Sequence, residues 1–331
     1  MNPTNGARVD ADRLPPLHDP DGKVAFITGG DSGIGLGIAR AFAGAGMKVI
    51  ITYRSPEHRD EALAALDAPG RVHAMALDVT DRAAVRATAA AAIDVFGKVH
   101  VLVNNAGVGP IIPLSCATPQ DWDWCMNTNV NGVFNGIHAF LPHLKAHGEG
   151  SQIVATSSML GGLVVGPFWG LYSTSKFAVV GMMEALRSEL AETNIGVSVF
   201  CPAGVKTNLG DSQRNRPAIL APSGASDPTA LAMMQDFAQA LGKLRADNAE
   251  PPMDPLEAGQ RVLQGIRNND LYIISHAEHA QTVRERGEAL LASIPIDPAA
   301  STPTRLAIAR IMRTRIYSDE IKRRAAQRSS R

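Results

Sequence analysis

Cysteine is nearly absent. Cys116, Cys125 and Cys201 are odd in number, far apart and outside any C-x-x-C spacing, so neither a disulfide framework nor a zinc site is expected, and a reducing cytoplasm is the expected compartment. An excess of charge is missing as well. The 32 basic side chains balance 32 acidic ones, which leaves no whole-molecule field to draw nucleic acid or an anionic membrane and favours a small-molecule partner. No stretch reaches the ~20 apolar residues that a membrane span requires. The opening, MNPTNGARVDADRLPPLHDPDGK, has no apolar core of a signal peptide and reads as a loose lead-in over residues 1–21. Repeats of roughly 20 to 50 residues are absent, which argues against a solenoid. What remains is an ordinary globular composition, 45% hydrophobic and 19% charged, on a chain of 331 residues that can bury a full core.

Short apolar runs alternate with longer helical patterns. VAFIT (24–28), KVIITY (48–53), VHAMAL (72–77), VHVLVN (99–104), QIVATS (152–157), VSVFC (197–201) and LYIIS (271–275) read as seven strands. The first six, with their spacers, follow a β-α-β rhythm. Each parallel step needs a crossover, and right-handed crossovers cover both faces of the sheet, so the expected fold is α/β with a doubly wound parallel sheet. Runs that are apolar on both faces fit a buried sheet.

The first strand leads into TGGDSGIGLGIARAFAGAG, with Gly29, Gly33 and Gly35 in a G-x-x-x-G-x-G spacing ahead of a helical pattern through Ile38 and Phe42. Glycines there permit a tight turn, let backbone approach a pyrophosphate, and open a helix whose N-terminal N–H groups face phosphates. Further landmarks follow in order. LDVTD ends strand three, NNAG (104–107) ends strand four, NVNGVFN (129–135) lies in the next helix, and SS (157–158) ends strand five. LYSTSKF (171–177) opens the following helix, and PAGVKT (202–207) ends strand six.

On these motifs, residues 22 to about 210 resemble the short-chain dehydrogenase/reductase family. The resemblance implies a Rossmann-type sheet in a single domain with N- and C-terminal extensions, an NAD or NADP cofactor, and a catalytic group of Asn129, Ser158, Tyr172 and Lys176. Ser158 is chosen over Ser157 by the S-S-x-x-G frame that ends at Gly161. Asn129, by the same resemblance, would kink its helix and hold a water that links Lys176 to solvent.

Hydride transfer between a carbinol carbon and nicotinamide requires a proton to leave or join the oxygen, and a side chain must carry it. Bringing a tyrosine to neutrality takes roughly 4 kcal/mol. A cation about 4 Å away at an effective dielectric of about 20 supplies that much. Tyr172 and Lys176 stand at i and i+4 on one helix face, where the lysine can reach both the phenol and a bound ribose. Ser158 would hold the substrate oxygen by a hydrogen bond.

The expected cofactor site comprises Gly29, Asp31, Ser32, Gly33, Ile34 and Gly35 in the glycine turn, with Arg54 after strand two. Asp78 and Val79 follow strand three, Asn105, Ala106 and Gly107 follow strand four, and Pro202, Gly204, Val205 and Thr207 follow strand six. Tyr172 and Lys176 complete it. Tyr53 stands where members of the family that prefer NAD carry Asp, and Arg54 comes next, so NADP(H) is favoured, with NAD(H) as the alternative. Asp78 is expected against the adenine and Thr207 against the carboxamide.

The segment after Ser158 is uncharged up to Lys176. Its Met159, Leu160, Phe168 and Trp169 are expected to wall a pocket for a bulky apolar or aryl alcohol or ketone. A variable region at about 208–252 would complete that pocket within a domain spanning 22–295. The second half of the chain, with GVFNG, IGVSV, RPA and LYII, is similar to bacterial aryl-ether Cα-dehydrogenases of lignin breakdown, which oxidise a benzylic alcohol with NAD. A catalytically idle dinucleotide-binding regulator is the rival reading. The intact Asn129, Ser158, Tyr172 and Lys176 argue against it.

The remaining features read as structural. His143 and His147 read as helix-terminal residues without a third metal ligand, and no metal site is expected. Trp122 and Trp124 read as helix packing. Asp254, Pro255 and Glu257 read as a helix start with a capping box. PIDPAASTP (295–303) reads as a linker to a basic extension, 296–331, in which nine basic residues from Arg305 onward face only Asp319 and Glu320. Its stripe of Ile308, Met312 and Ile316 calls for apolar cover, and a homodimer or homotetramer is the expected source.

Overall fold

A computed structural model of the chain describes residues 16–221, 251–295 and 302–329, with single positions 228, 232, 233, 235–237, 239, 240, 242 and 243. Most of the lead-in and of the 295–303 linker, and residues 230, 231, 234, 238, 241 and 244 of the helical stretch near 230–244, lie outside the described residues.

Seven strands form one parallel sheet in the order β3-β2-β1-β4-β5-β6-β7. They are β1 Val24–Ile27, β2 Lys48–Tyr53, β3 Val72–Ala76, β4 Val101–Asn104, β5 Ser151–Thr156, β6 Ile195–Cys201 and β7 Tyr272–Ile274. Every residue of β1, β4, β5 and β6 is buried, as expected for central strands covered on both faces. All seven fall within a residue or two of the apolar runs read from the sequence.

The helices between them are α1 Gly33–Gly44, α2 Pro56–Leu66, α3 Arg82–Phe96, α4 Pro119–Met126, α5 Gly132–Ala146 and α6 Gly170–Glu189, with α7 Pro255–Asn268 leading into β7. One apolar layer gathers residues of α3, α5 and α6 under one face of the sheet, where the rings of Phe26 and Phe140 lie 4.5 Å apart. The opposite layer joins Ile38 and Phe42 of α1 to Val262 and Ile266 of α7. Helices on both faces make the sheet doubly wound. The winding reverses between β1 and β4, and in such sheets the crevice beyond the strand ends at the reversal is where ligands sit.

Helices α1 and α7 touch through glycine. A Cβ on Gly37 would lie 1.8 Å from the Pro255 carbonyl oxygen, and one on Gly259 would lie 2.2 Å from the Gly37 carbonyl oxygen. Asp254 caps α7 by accepting from Leu256 N at 2.8 Å. The expected capping box is incomplete, because Glu257 pairs with Arg261 one turn on, at 2.8 Å.

After β7 the chain adds α8 Ala280–Ala292, α9 Pro303–Ile311 and α10 Ile316–Ser329. The expected apolar stripe divides. Ile316 is buried within its own chain, while Ile308 and Met312 stay exposed. Helix α10 docks on the sheet edge: Glu320 accepts from Leu271 N at 3.0 Å, and Arg324 reaches Asp270 at 3.0 Å. Among the described residues no helix is long and apolar enough to cross a membrane.

Because the α1–α7 contact fixes the helix that opens onto the crevice, Gly37→Ala should overpack it. The expected loss is about 1–3 kcal/mol of stability, read as a lower denaturation midpoint, together with weaker dinucleotide binding. A variant with unchanged midpoint and affinity would show that the two helices have room to separate.

Candidate functional site

The glycine turn is built for close approach. Gly29 and Gly33 have φ of +59° and +50°, in the left-handed region that side chains avoid. Gly35 is held by proximity, since a Cβ there would lie 2.0 Å from the Gly29 carbonyl oxygen. Asn105 latches the turn to β4, its Nδ2 donating to the carbonyls of Thr28 at 3.2 Å and Gly29 at 3.1 Å. Ser32 takes the N-cap position of α1 in extended conformation, but its side chain caps nothing, and the first turn holds no acid. The first N–H groups of α1 therefore face the crevice without a side-chain partner, an arrangement suited to an anion. A dinucleotide's pyrophosphate fits this cradle on steric and electrostatic grounds alike.

A cavity of about 740 Å³ runs from this turn to α6. At its outer end Arg54 donates to Asn215 O at 3.2 Å and lies 3.9 Å from Asp78, with half its side chain exposed. Asp78 also accepts from Thr80 N and Thr80 Oγ1, at 2.9 and 2.7 Å. Burial pushes the Asp31 carboxyl up, against the pull of its own backbone and of His58, Arg214 and Arg54.

At the inner end stand Tyr172 and Lys176, both buried on α6. Lys176 Nζ donates to Thr156 O at 2.9 Å and lies 5.6 Å from the centre of the Tyr172 ring. Burial pushes the lysine down to about 8. It pushes the tyrosine up to about 12, while a hydrogen bond from Ser158 pulls the other way. The expected lowering of Tyr172 by its neighbour is thus reversed in the protein alone, since desolvation outweighs a cation whose short contact is with a carbonyl. The two serines differ in their contacts. Ser157 Oγ donates to Lys176 O at 2.9 Å, whereas Ser158 faces the cavity beside the phenol.

Asn129 sits in a π-helical turn, Asn127–Asn131, between α4 and α5, which supplies the expected irregularity in the helix. Its Oδ1 accepts from Val108 N at 2.8 Å, and its Nδ2 donates to Val108 O and Ser175 Oγ, both at 2.9 Å. The side chain thereby ties the loop after β4 to α6 from behind the cavity wall.

Most of the expected residues line the cavity: Gly29, Asp31, Ser32, Gly33, Ile34, Arg54, Asp78, Val79, Asn105, Ala106, Gly107, Ser158, Leu160, Trp169, Tyr172, Lys176, Pro202, Gly204, Val205 and Thr207. Gly35 and Asn129 support it from outside. Two pocket residues are corrections. Met159 turns into the core, where the short helical turn Met159–Gly162 buries it, and Phe168 packs its ring on Phe237 at 5.1 Å rather than on the cavity. Phe168 also has φ of +64°, a conformation that no sequence pattern announces for a bulky residue.

The sequence reading expected the region at about 208–252 to complete the pocket but named none of its residues. Leu209, Ser212, Arg214, Asn215 and Arg216 line the cavity from the 3-10 turn Leu209–Asn215 and its exit, with His58, Phe237 and His279 beside them. The turn is pinned by Gly109 N donating to Ser212 Oγ at 3.0 Å. RNRPA was the available signal, but such a turn has no periodicity that tells which side chains point inward.

Residues 23–218 match the family model described as short chain dehydrogenase. The chain belongs to that family and is an oxidoreductase of it. It is 33% identical over 319 residues to a C alpha-dehydrogenase of Sphingobium sp., covering 93% of this chain and 100% of that protein. Its fold matches a short chain dehydrogenase/reductase from Burkholderia phymatum, solved in complex with NAD, with TM-score 0.76, 34% identity and coverage of 85% of this chain and 98% of that one. A short chain dehydrogenase from Burkholderia cenocepacia, in complex with NADP, matches with TM-score 0.60 and 28% identity over 77% of this chain and 96% of that one.

Proposed function

We propose that the protein is an NADP(H)-linked dehydrogenase or reductase that interconverts a bulky, apolar or aryl secondary alcohol and its ketone. The observation that carries this reading is one cavity joining a pyrophosphate cradle at α1 to Tyr172, Ser158 and Lys176 at α6. Bound there, the nicotinamide would give or take the hydride. Tyr172 holds the proton for the substrate oxygen, and burial keeps it protonated at neutral pH. Ser158, beside the phenol, orients that oxygen by a hydrogen bond. Lys176, buried next to the ring, supplies positive charge that favours phenolate as the proton leaves. Leu160 and Trp169, the latter edge-on to Tyr172 at 5.3 Å, keep water from the reacting oxygen. The likeness to a C alpha-dehydrogenase supports an aryl carbinol as substrate. A homodimer or homotetramer belongs to the same reading, supported by the exposed Ile308, Ile311 and Met312.

Tyr172→Phe should lower turnover of an aryl ketone by about 100-fold or more with dinucleotide affinity intact, because only the proton donor is removed. Steady-state kinetics beside calorimetric cofactor titration separates the two, and retained turnover would take Tyr172 out of that role.

The two directions should also diverge with pH. Reduction draws on protonated Tyr172 beside charged Lys176, so its kcat/KM should be flat below about 8 and decline as the lysine loses its proton above that value. Oxidation needs the phenol to accept a proton and should rise with pH. Parallel profiles for both directions would contradict these assignments.

Cofactor choice rests on Arg54 at the outer end of the cavity. Arg54→Ala should raise the KM for NADPH about tenfold and leave that for NADH nearly unchanged, since only the former carries a 2′-phosphate for a guanidinium to grip. Equal losses would place the effect in the Arg54–Asn215 contact instead.

A further inference from the structure

Two histidines follow β7, and the structure uses them differently. Strands β6 and β7 run parallel with Cys201 beside Ile274, so the chain leaves both strands at the same end of the sheet, on the side of the cavity. Ala203 N, in the loop after β6 that lines the cavity, donates to Ser275 Oγ at 3.3 Å and to His276 Nδ1 at 3.4 Å. His276 is thereby spent on backbone. His279, three residues on, lines the cavity itself, is half-buried, and its ring has no hydrogen-bonding or ionic partner among the described residues. Its place is fixed from both sides. Behind it stands the Ala203 contact, and ahead of it α8 rests on α6, with Val283 against the apolar layer that α6 shares and the Arg286 guanidinium 5.0 Å over the Phe177 ring.

This is the Tyr172 end of the cavity. The loop that holds Ser275 and His276 also meets Ser158, whose Oγ lies 3.5 Å from Pro202 O. Ser158 and Tyr172 are taken up by the reacting oxygen, and Ser212 Oγ is already occupied, accepting from Gly109 N at 3.0 Å and donating to Leu209 O. Around them stand the apolar side chains of Leu160, Trp169, Leu209 and Phe237. Solvent can serve the His279 ring while the cavity is open, but a bulky substrate displaces that solvent and sets ring nitrogens against carbon unless it brings a partner of its own. A hydroxyl suits the place, because it both donates and accepts and so meets a ring nitrogen whether or not that nitrogen carries the hydrogen. A carboxylate suits it poorly, since a charge among apolar side chains with a single partner is costly.

We propose that His279 determines substrate specificity: its ring hydrogen-bonds a hydroxyl that the substrate carries apart from the reacting carbinol or ketone. This rests on the alcohol/ketone reading of the same cavity and adds to it a polar mark on an otherwise apolar substrate. Proton transfer to the reacting oxygen stays with Tyr172.

The test uses the full chain and a set of aryl ketones in which a hydroxyl, moved through the ring positions, is replaced in place by methyl or by carboxylate. For at least one position kcat/KM for hydroxyl should exceed that for methyl about tenfold, with carboxylate below both. In His279→Phe, which keeps a ring and removes its nitrogens, the hydroxyl-to-methyl ratio should fall toward one. His279→Gln, which keeps a donor and an acceptor, should retain part of the preference. A merely structural role for the ring would slow both ketones alike in His279→Phe and leave the ratio standing, which would overturn the proposal. A ratio near one at every position in an enzyme that reduces the ketones would overturn recognition by His279 and leave the function intact, as would a wild-type preference for carboxylate. Failure to reduce any ketone with NADPH or NADH would remove both readings together.

Discussion

An ammonium group buried against a single carbonyl organises this site. Lys176 Nζ donates to Thr156 O at the end of β5, at 2.9 Å, in a place where its charge has lost most of its water. Such a group is tolerated only if the surrounding backbone is fixed, because a carbonyl that drifts leaves the charge unpaired. The surroundings meet that condition. Ser157, the residue after Thr156, bonds the carbonyl of Lys176 itself, and Ser157 N donates in turn to Phe200 O on β6 at 2.7 Å. Ser175, next to the lysine, is held by Asn129, which also grips Val108. Strand ends, π-helical turn and α6 are thus tied together around the buried charge.

That frame explains why Tyr172 is strongly acidic neither by neighbourhood nor by exposure. Water removed from the phenol favours its protonated form, and the lysine, 5.6 Å from the ring centre, does not reverse this in the protein alone. On the proposed function, a positive nicotinamide bound near the lysine would favour the phenolate, because two cations would then act on one phenol in a medium that screens them poorly. On the same reading, a tyrosine that keeps its proton until the dinucleotide arrives would couple proton transfer to cofactor occupancy. The opposite shifts of Tyr172 and Lys176 are a single effect of burial acting on groups of opposite charge sign.

Features governed by short-range rules were legible in the sequence. The strands were visible because burial on both faces demands continuous apolar runs, and the glycine turn because positive φ and backbone contact restrict the residue type to glycine. The Tyr172–Lys176 pair was legible because it falls in order with the other motifs of the resemblance, and helical spacing puts i and i+4 on one face. Direction within irregular chain was not legible. Met159 and Trp169 are both apolar residues of one loop, yet the first enters the core and the second the cavity, and a left-handed Phe168 between them sets the path. Ile316 and Met312 share a stripe, but the chain breaks between α9 and α10, so one is covered by the body of the protein and the other is not.

The same limit hid which residues after β6 line the cavity. Arg216 and Asp121 are 95 positions apart, and neither belongs to a motif of the dinucleotide site. Their meeting depends on α4 following the loop after β4 and on the 3-10 turn following β6, two segments that lie over the same strand ends from different crossovers. The glycine turn, Ser158 and Tyr172 sit at strand ends and near helix starts that the sheet itself fixes. Across the crevice, in the loops above the sheet, one buried ion pair pins the 3-10 turn to α4 and leaves Arg216 Nη2 without a partner among the described residues. Which polar groups are paired in such a wall follows from how loops of different crossovers meet, and no local sequence pattern records that meeting.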